Sequence, residues 1–227
     1  MQISRVGLDL AKQVIQVHAV ERSGRAVVRK AFKRTALQSF FRDLPPCEVG
    51  MAACGGSHHW GRQLQAMGHQ VKLLPPQYVK PFVLGQKNDA NDAAAVCAAM
   101  GRAEIPTVSI KTVAQQDGQA LHRVRSARVA DRTAMVNQIR GLLAEYGIVM
   151  AQGRHTLRRA LPELLEDADS GLSFDFRLVL SELYDELVAL DARVEQLTRR
   201  IEQQVQQDEA AQRLLGHWKL GALASAL

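Results

Sequence analysis

The sequence predicts an α/β domain, a mixed sheet with helices on its faces, followed by an all-α arm. Three observations predict it. Short apolar stretches, some with two-residue alternation, recur through roughly the first hundred residues and are separated by helix-length segments. Strand signals stop after about residue 111. From Phe176 onward, Leu180, Leu183, Leu187, Leu190, Val194, Leu197 and Ile201 recur in steps of 4 and 3, which is a heptad seam.

The elements follow in order. Val6-Gly7-Leu8-Asp9-Leu10 is a short apolar strand carrying one acid. Residues 14–20 alternate, with Val14, Gln16, His18 and Val20 on one face and Ile15, Val17 and Ala19 on the other. Glu21-Arg22-Ser23-Gly24 is a turn, and Ala26-Val27-Val28 resumes strand character, which completes a three-strand meander. Thr35 is a candidate N-cap for a helix through Leu37, Phe40, Phe41 and Leu44, stopped by Pro45-Pro46. Residues 47–54 read as a buried strand, 57–67 as a helix ended by Gly68, and 69–74 as a strand closed by Pro75-Pro76. A helix from about Asp89 to Gly101 follows. The order βββαβαβα is that of a mixed sheet with helices on its faces. Beyond it, 112–146 is a long helix ended at Gly147, 151–171 a mixed connector, and 172–205 a helix of roughly 50 Å at 1.5 Å per residue. The seam on that last helix needs a partner, which is either the 112–146 helix folded back or a second chain.

Composition sets the outer bounds. The 227 residues are 47% hydrophobic, enough for a real core. No apolar run approaches the roughly 20 residues that span a bilayer, and residues 1–5 lack a secretory apolar stretch, so a soluble cytoplasmic protein is expected. Cys47, Cys54 and Cys97 share no CxxC spacing and read as small core residues. The net charge of +6 is unevenly spread: residues 1–110 hold 14 basic and 7 acidic residues, 111–160 hold 9 and 3, and 161–227 hold 6 and 13. The front two thirds therefore attract a polyanion, unless the imbalance is only uneven surface charge.

Two places bring acids together. Asp9 is a charge inside an apolar strand, costly unless it meets a cation or a donor. In Lys87-Asn88-Asp89-Ala90-Asn91-Asp92 the two aspartates are three residues apart, so one helical turn sets both carboxylates on one face. Singly, each has a plain explanation, a strand-end acid in solvent or an acid complementing a helix dipole. Together, an acid on the first strand and two on a helix after the fifth match a magnesium-binding nuclease site, since magnesium prefers oxygen ligands.

These residues also carry a resemblance. Gly7-Leu8-Asp9-Leu10-Ala11-Lys12 resembles the opening motif of the RuvC-like DEDD transposases of the insertion-sequence one-ten family, related to the Piv invertase. Cys54-Gly55-Gly56-Ser57-His58-His59-Trp60 is similar to that family's second motif, and Lys87-Asn88-Asp89-Ala90-Asn91-Asp92-Ala93 to its third. The resemblance implies a ribonuclease-H-like (RuvC-like) nuclease domain over 1–110 and a helical coiled-coil arm over 111–210. It further implies magnesium or manganese held by Asp9, Asp89 and Asp92 as catalytic ligands. DNA transposition or site-specific recombination guided by a structured RNA follows, in a homo-oligomer assembled through the arm. Two departures stand out. The family's second acid is replaced by Ala52, and Glu48, four residues earlier, lies about 13 Å away at 3.3 Å per residue. Residues 211–227 resemble only the entrance to a serine-bearing domain, with Ser225 too early to be its nucleophile, so a truncated, catalytically impaired, weakly metal-holding chain is expected.

Further residues support or rival this expectation. Adjacent histidines point apart and chelate poorly, so His58 and His59, with Lys87, are expected behind the ligands or as phosphate or water contacts. Arg125, Arg128, Arg132 and Arg140 share one broad helix face, with His122 and Arg123 nearby, and such a face can track phosphates if it is not simply solvated. The rival readings are an inactive nucleic-acid-binding, self-associating remnant, and an actin-like phosphotransferase, for which Gly55-Gly56 is a poor phosphate loop.

Overall fold

The structure, a computed structural model, describes residues 2–86, 88–209 and 211–213. The chain divides into two compact units, Met1–Val113 and Ala114–Leu227.

In the first unit, β1 (Ile3–Leu10), β2 (Val14–Glu21) and β3 (Ala26–Lys33) form the antiparallel meander. Gly24, at φ 88°, takes the left-handed conformation that the β2–β3 turn needs. β4 (Glu48–Ala52) then lies parallel to β1, and β5 (Gln70–Leu74) parallel to β4. The order is β3-β2-β1-β4-β5, a five-stranded mixed sheet consistent with a ribonuclease-H-like fold. Strand alternation sorts the faces. Val6, Leu8, Val49 and Met51 point to one face, where they are fully buried with Leu37 and Phe41 of α1 (Arg34–Arg42) and with Trp60 and Leu64 of α2 (Ser57–Ala66).

Gly7 and Gly50 point to the other face and admit a helix at close range. After β5 come a single helical turn, α3 (Pro76–Val79), a 3-10 turn (Lys80–Phe82) and then α4 (Asp89–Ala99). A Cβ on Gly7 would lie 2.2 Å from the Ala93 carbonyl oxygen, and one on Gly50 would lie 2.8 Å from Met100 Sδ. Bare backbone in two adjacent strands is what lets α4, with its small Ala93, Ala95 and Cys97, sit directly on the sheet.

Several sequence expectations shift at their edges. Helix α1 opens at Arg34 after an extended Lys33 that gives no side-chain cap, so Thr35 lies inside the helix rather than capping it. Strand β3 runs on to Lys33, because its backbone stays paired to β2 through Val14–Lys33 although its side chains turn polar. Strand β4 ends at Ala52, and Cys54 is exposed rather than a core residue. Pro76 opens α3 as well as closing the strand, since proline suits the first turn of a helix.

The second unit is three helices, α5 (Val113–Glu145), α6 (Arg154–Glu166) and α7 (Phe174–Gln207). Helix α6 occupies the segment expected as a connector. Its Pro162 hid the pattern, yet Leu157 and Leu161, four apart, are fully buried. Helices α5 and α7 run antiparallel. Gly118 lies near Gln204, Arg125 bonds Thr198, Arg132 bonds Asp191, and Tyr146 stacks on Phe176 at 4.0 Å. Part of the seam therefore packs against α5 of the same chain. Leu180, Leu187, Val194 and Leu197 are buried, and Leu180 and Leu187 share a cluster with Val136, Ile139 and Leu143 of α5. Of the expected segment 211–227, residues 214–227 lie outside the described residues. No helix among the described residues is long and apolar enough to cross a membrane.

Candidate functional site

The contact of α4 on Gly7 decides which acids meet. Asp9 follows Gly7 by two residues and so shares its face, at the carboxyl end of β1. On the neighbouring parallel strand Leu8 pairs with Met51, which sets Ala52 beside Asp9. Asp92 immediately precedes Ala93, the residue whose carbonyl abuts Gly7. Asp9, Ala52 and Asp92 accordingly line one cleft of about 440 Å³, together with Lys80 and the apolar Val79, Val83 and Val96. Carboxyl ends of parallel strands are where open α/β sheets place their ligands.

The start of α4 is fixed by its cap. The Asn88 side chain accepts a hydrogen bond from the Asn91 backbone N–H at 2.9 Å, and Asn91 Nδ2 donates to the Gln86 carbonyl at 2.7 Å. Asp89 and Asp92 both fall in the first turn, where the helix dipole favours negative charge. Asp92 is half-buried against the cleft, whereas Asp89 is exposed and is not part of its lining. Lys87 lies outside the described residues.

Cys54 is the neighbour whose titration Asp9 affects. Desolvation raises the pKa of the Cys54 thiol, and the Asp9 carboxylate adds to the rise, so Cys54 stays a neutral neighbour at pH 7. His58, in the first turn of α2, accepts a bond on Nδ1 from the Lys111 backbone N–H at 3.2 Å. Its pKa falls, first through desolvation and then through the charges of Lys111 and Arg62, so it is a neutral acceptor. His59 is exposed, and its ring stands edge-on to Trp60 at 6.0 Å. Neither histidine lines the cleft. Glu48 lies four residues along β4 from Ala52, paired with Lys72 at 2.9 Å, and lines a separate pocket with Cys47 and Gln70. Lys80 is the cleft residue that sequence reasoning missed. Its only signal is position, just after the proline pair that closes β5.

The donors present fit a hard divalent cation in kind, since they are carboxylate oxygens in a partly dry cleft. They are short in number. Among the described residues no three His, Cys, Asp or Glu side chains are grouped closely enough to hold a metal ion. Where a fourth acid would stand, Ala52 contributes a methyl group.

In the second unit the arginines of α5 take separate paths. Arg123 is exposed. Arg125 donates to Thr198 Oγ1 at 3.3 Å, and Arg128 pairs with Asp131 at 3.0 Å. Arg132 reaches Asp191 at 3.0 Å with its side chain only 14% exposed, and Arg140 donates to the Met150 carbonyl at 3.0 Å. Three of the five thus turn toward α7 or the loop after α5.

Comparison with known proteins gives a consistent picture. The family model described as the DEDD transposase of the IS110 type matches residues 6–148, from β1 through the whole of α5. A "Probable family 20 transposase" of Pseudomonas aeruginosa is 44% identical over 227 residues, covering 100% of this chain and 67% of the relative. The transposase for insertion sequence element IS1328 of Yersinia enterocolitica is 37% identical, over 99% of this chain and 66% of the relative. That for IS1111A of Coxiella burnetii is 39% identical, over 93% and 58%. The chain thus spans roughly two thirds or less of the length of these relatives.

Proposed function

We propose, from the premise that this chain belongs to the IS110 family of DEDD transposases, that its first unit is the metal-dependent nuclease part of a DNA recombinase and its second a nucleic-acid-binding coiled-coil arm. The observation that carries this reading is the single cleft lined by Asp9, Ala52 and Asp92 at the carboxyl ends of β1 and β4. Asp9 and Asp92 would hold one magnesium or manganese ion, with the exposed Asp89 a turn away as a further oxygen donor. Bound there, such an ion supplies charge stabilisation at a phosphodiester oxygen and a more acidic water. The chain's own part is to fix those carboxylates on a rigid sheet and a capped helix. Lys80 supplies a positive charge at the cleft that can meet a phosphate. The apolar Val79, Val83 and Val96 limit water in it.

Ala52 also favours a second reading, in which the chain binds nucleic acid and self-associates but cleaves poorly. DNA, a structured guide RNA and further copies of this chain are the partners in both readings. The basic balance of residues 1–160 supports the polyanions. The test is Asp9→Asn. Titration with manganese should show weak binding to the parent chain, lost in the variant, while DNA affinity in the absence of metal is retained. Equal manganese binding by the two chains would remove the site.

A further inference from the structure

The strongest unassigned feature lies in the second unit, where Asp191 of α7 accepts three arginines. Arg132 of α5 and Arg154 of α6 both reach its Oδ1, at 3.0 and 2.9 Å, and Arg158 reaches Oδ2 at 3.1 Å. Asp191 is 12% exposed, so this carboxylate is largely out of water. Arg140 stands close by with its guanidinium on the neutral Met150 carbonyl. Three cations are therefore gathered around one anion, and a fourth, Arg140, lines the same cleft as two of them. Partly buried like charges repel, and one carboxylate cannot neutralise them.

A cleft of about 450 Å³ opens on this cluster, lined by Arg132, Arg140 and Arg154 and by the polar Thr133, Asn137 and Gln152. Its lining contains no acid. The amino end of α6 also faces it. Gly153, at φ 108°, precedes the helix and gives it no side-chain cap, so the positive end of the helix dipole adds to the arginines. Guanidinium forks, amide donors and a helix amino end are the groups that recognise a tetrahedral phosphate. Arg132 and Arg154 are oriented by Asp191 before any ligand arrives, which lowers the ordering cost of binding.

We propose that this cleft between α5 and the start of α6 is a phosphate-binding site that takes a backbone phosphate of a nucleic acid. The choice of nucleic acid over free phosphate rests on the recombinase reading. The phosphate chemistry itself does not.

The experiment compares the parent chain with Arg140→Gln, Arg154→Gln, the double variant and Arg154→Lys. Binding of a labelled DNA duplex and of an RNA of the same sequence is followed across a salt series, with inorganic phosphate as a separate probe by thermal shift. Arg140 lies outside the Asp191 clamp, so its variant keeps the clamp intact even where Arg154→Gln loosens the fold. Loss of a charge-assisted contact should weaken oligonucleotide binding by roughly tenfold. The slope of log affinity against log salt should drop by about 1 for each phosphate contact removed. Arg154→Lys should recover the slope but only part of the affinity, because the charge returns without the fork. Unchanged affinity and slope in Arg140→Gln and in the double variant, both folded, would overturn the site. Stabilisation by inorganic phosphate with unaltered oligonucleotide binding would overturn the nucleic-acid assignment. A parent chain that binds oligonucleotide but never cleaves it counts against the nuclease reading alone and leaves this comparison standing.

Discussion

A methyl group at position 7 has nowhere to go. It would lie 2.2 Å from the Ala93 oxygen and 2.6 Å from the Cys97 nitrogen, both backbone atoms that cannot rotate away. Gly7→Ala should therefore lift α4 from β1 and cost at least about 2 kcal/mol, read as a lower denaturation midpoint. Manganese binding should weaken in the same variant, because Asp92 rides on α4; a chain of unchanged stability would show that the close approach is not needed. Position 52 is the opposite case. Ala52 borders a cleft of about 440 Å³ beside Asp9, so a longer side chain there enters open space. Ala52→Glu adds a third carboxylate to the cleft, and magnesium requires near-ideal octahedral oxygen coordination. Metal affinity should rise by tenfold or more, about 1.4 kcal/mol per factor of ten. Equal affinities by calorimetry would show that the missing acid is immaterial. At this scale Asp9 was legible as a charge in an apolar strand, and Asp92 from its spacing to Asp89. Asp89 was legible as a pair member but not as an exposed one, since spacing sets the face of a helix and not how that helix is seated. Lys80 had no signal beyond its position after the proline pair, because no period or motif links it to the acids.

At the scale of elements, the seam of α7 is the clearest case of pattern becoming contact. Leu187 is 1% exposed and packs in the cluster with Ile139 and Leu143. Leu187→Asp would put an unpaired charge there and should cost about 3–5 kcal/mol, visible as early melting of the helical signal. A variant that melts with the parent would mean the seam carries no stability. The heptad was readable because steps of 4 and 3 have few explanations besides a helix partner. Its partner was readable only as one of two, the 112–146 helix or a second chain. Helix α5 buries only Leu121, Val136, Ile139 and Leu143, and two of its arginines, Arg125 and Arg132, bond to α7. The sequence placed those arginines on one helix face but could not say which of them also bond to a neighbouring helix, since both kinds look the same in one dimension. Helix α6 was hidden for a related reason, a proline inside thirteen residues whose leucines are all that mark it.

For the molecule as a whole, the mixed sheet with helices on its faces was legible from the order of elements, whereas the strand order β3-β2-β1-β4-β5 was not stated by the pattern. The antiparallel register of the second unit has a further consequence, for how such arms can change length over evolutionary time. Tyr146 meets Phe176, Arg132 meets Asp191, and Gly118 meets Gln204, so positions pair as on the two rails of a ladder. Removing one heptad from a single rail displaces every rung beyond the cut. Removing residues 122–128 together with 195–201, which face each other in this register, should shorten the arm and keep the remaining rungs. The paired deletion is expected to retain a cooperative helical melt, while either deletion alone loses it; single deletions that melt like the parent would show that the rungs are not what holds the rails together. Among chains of this build, gain or loss of arm length should therefore come as matched insertions on both sides of α6, never on one.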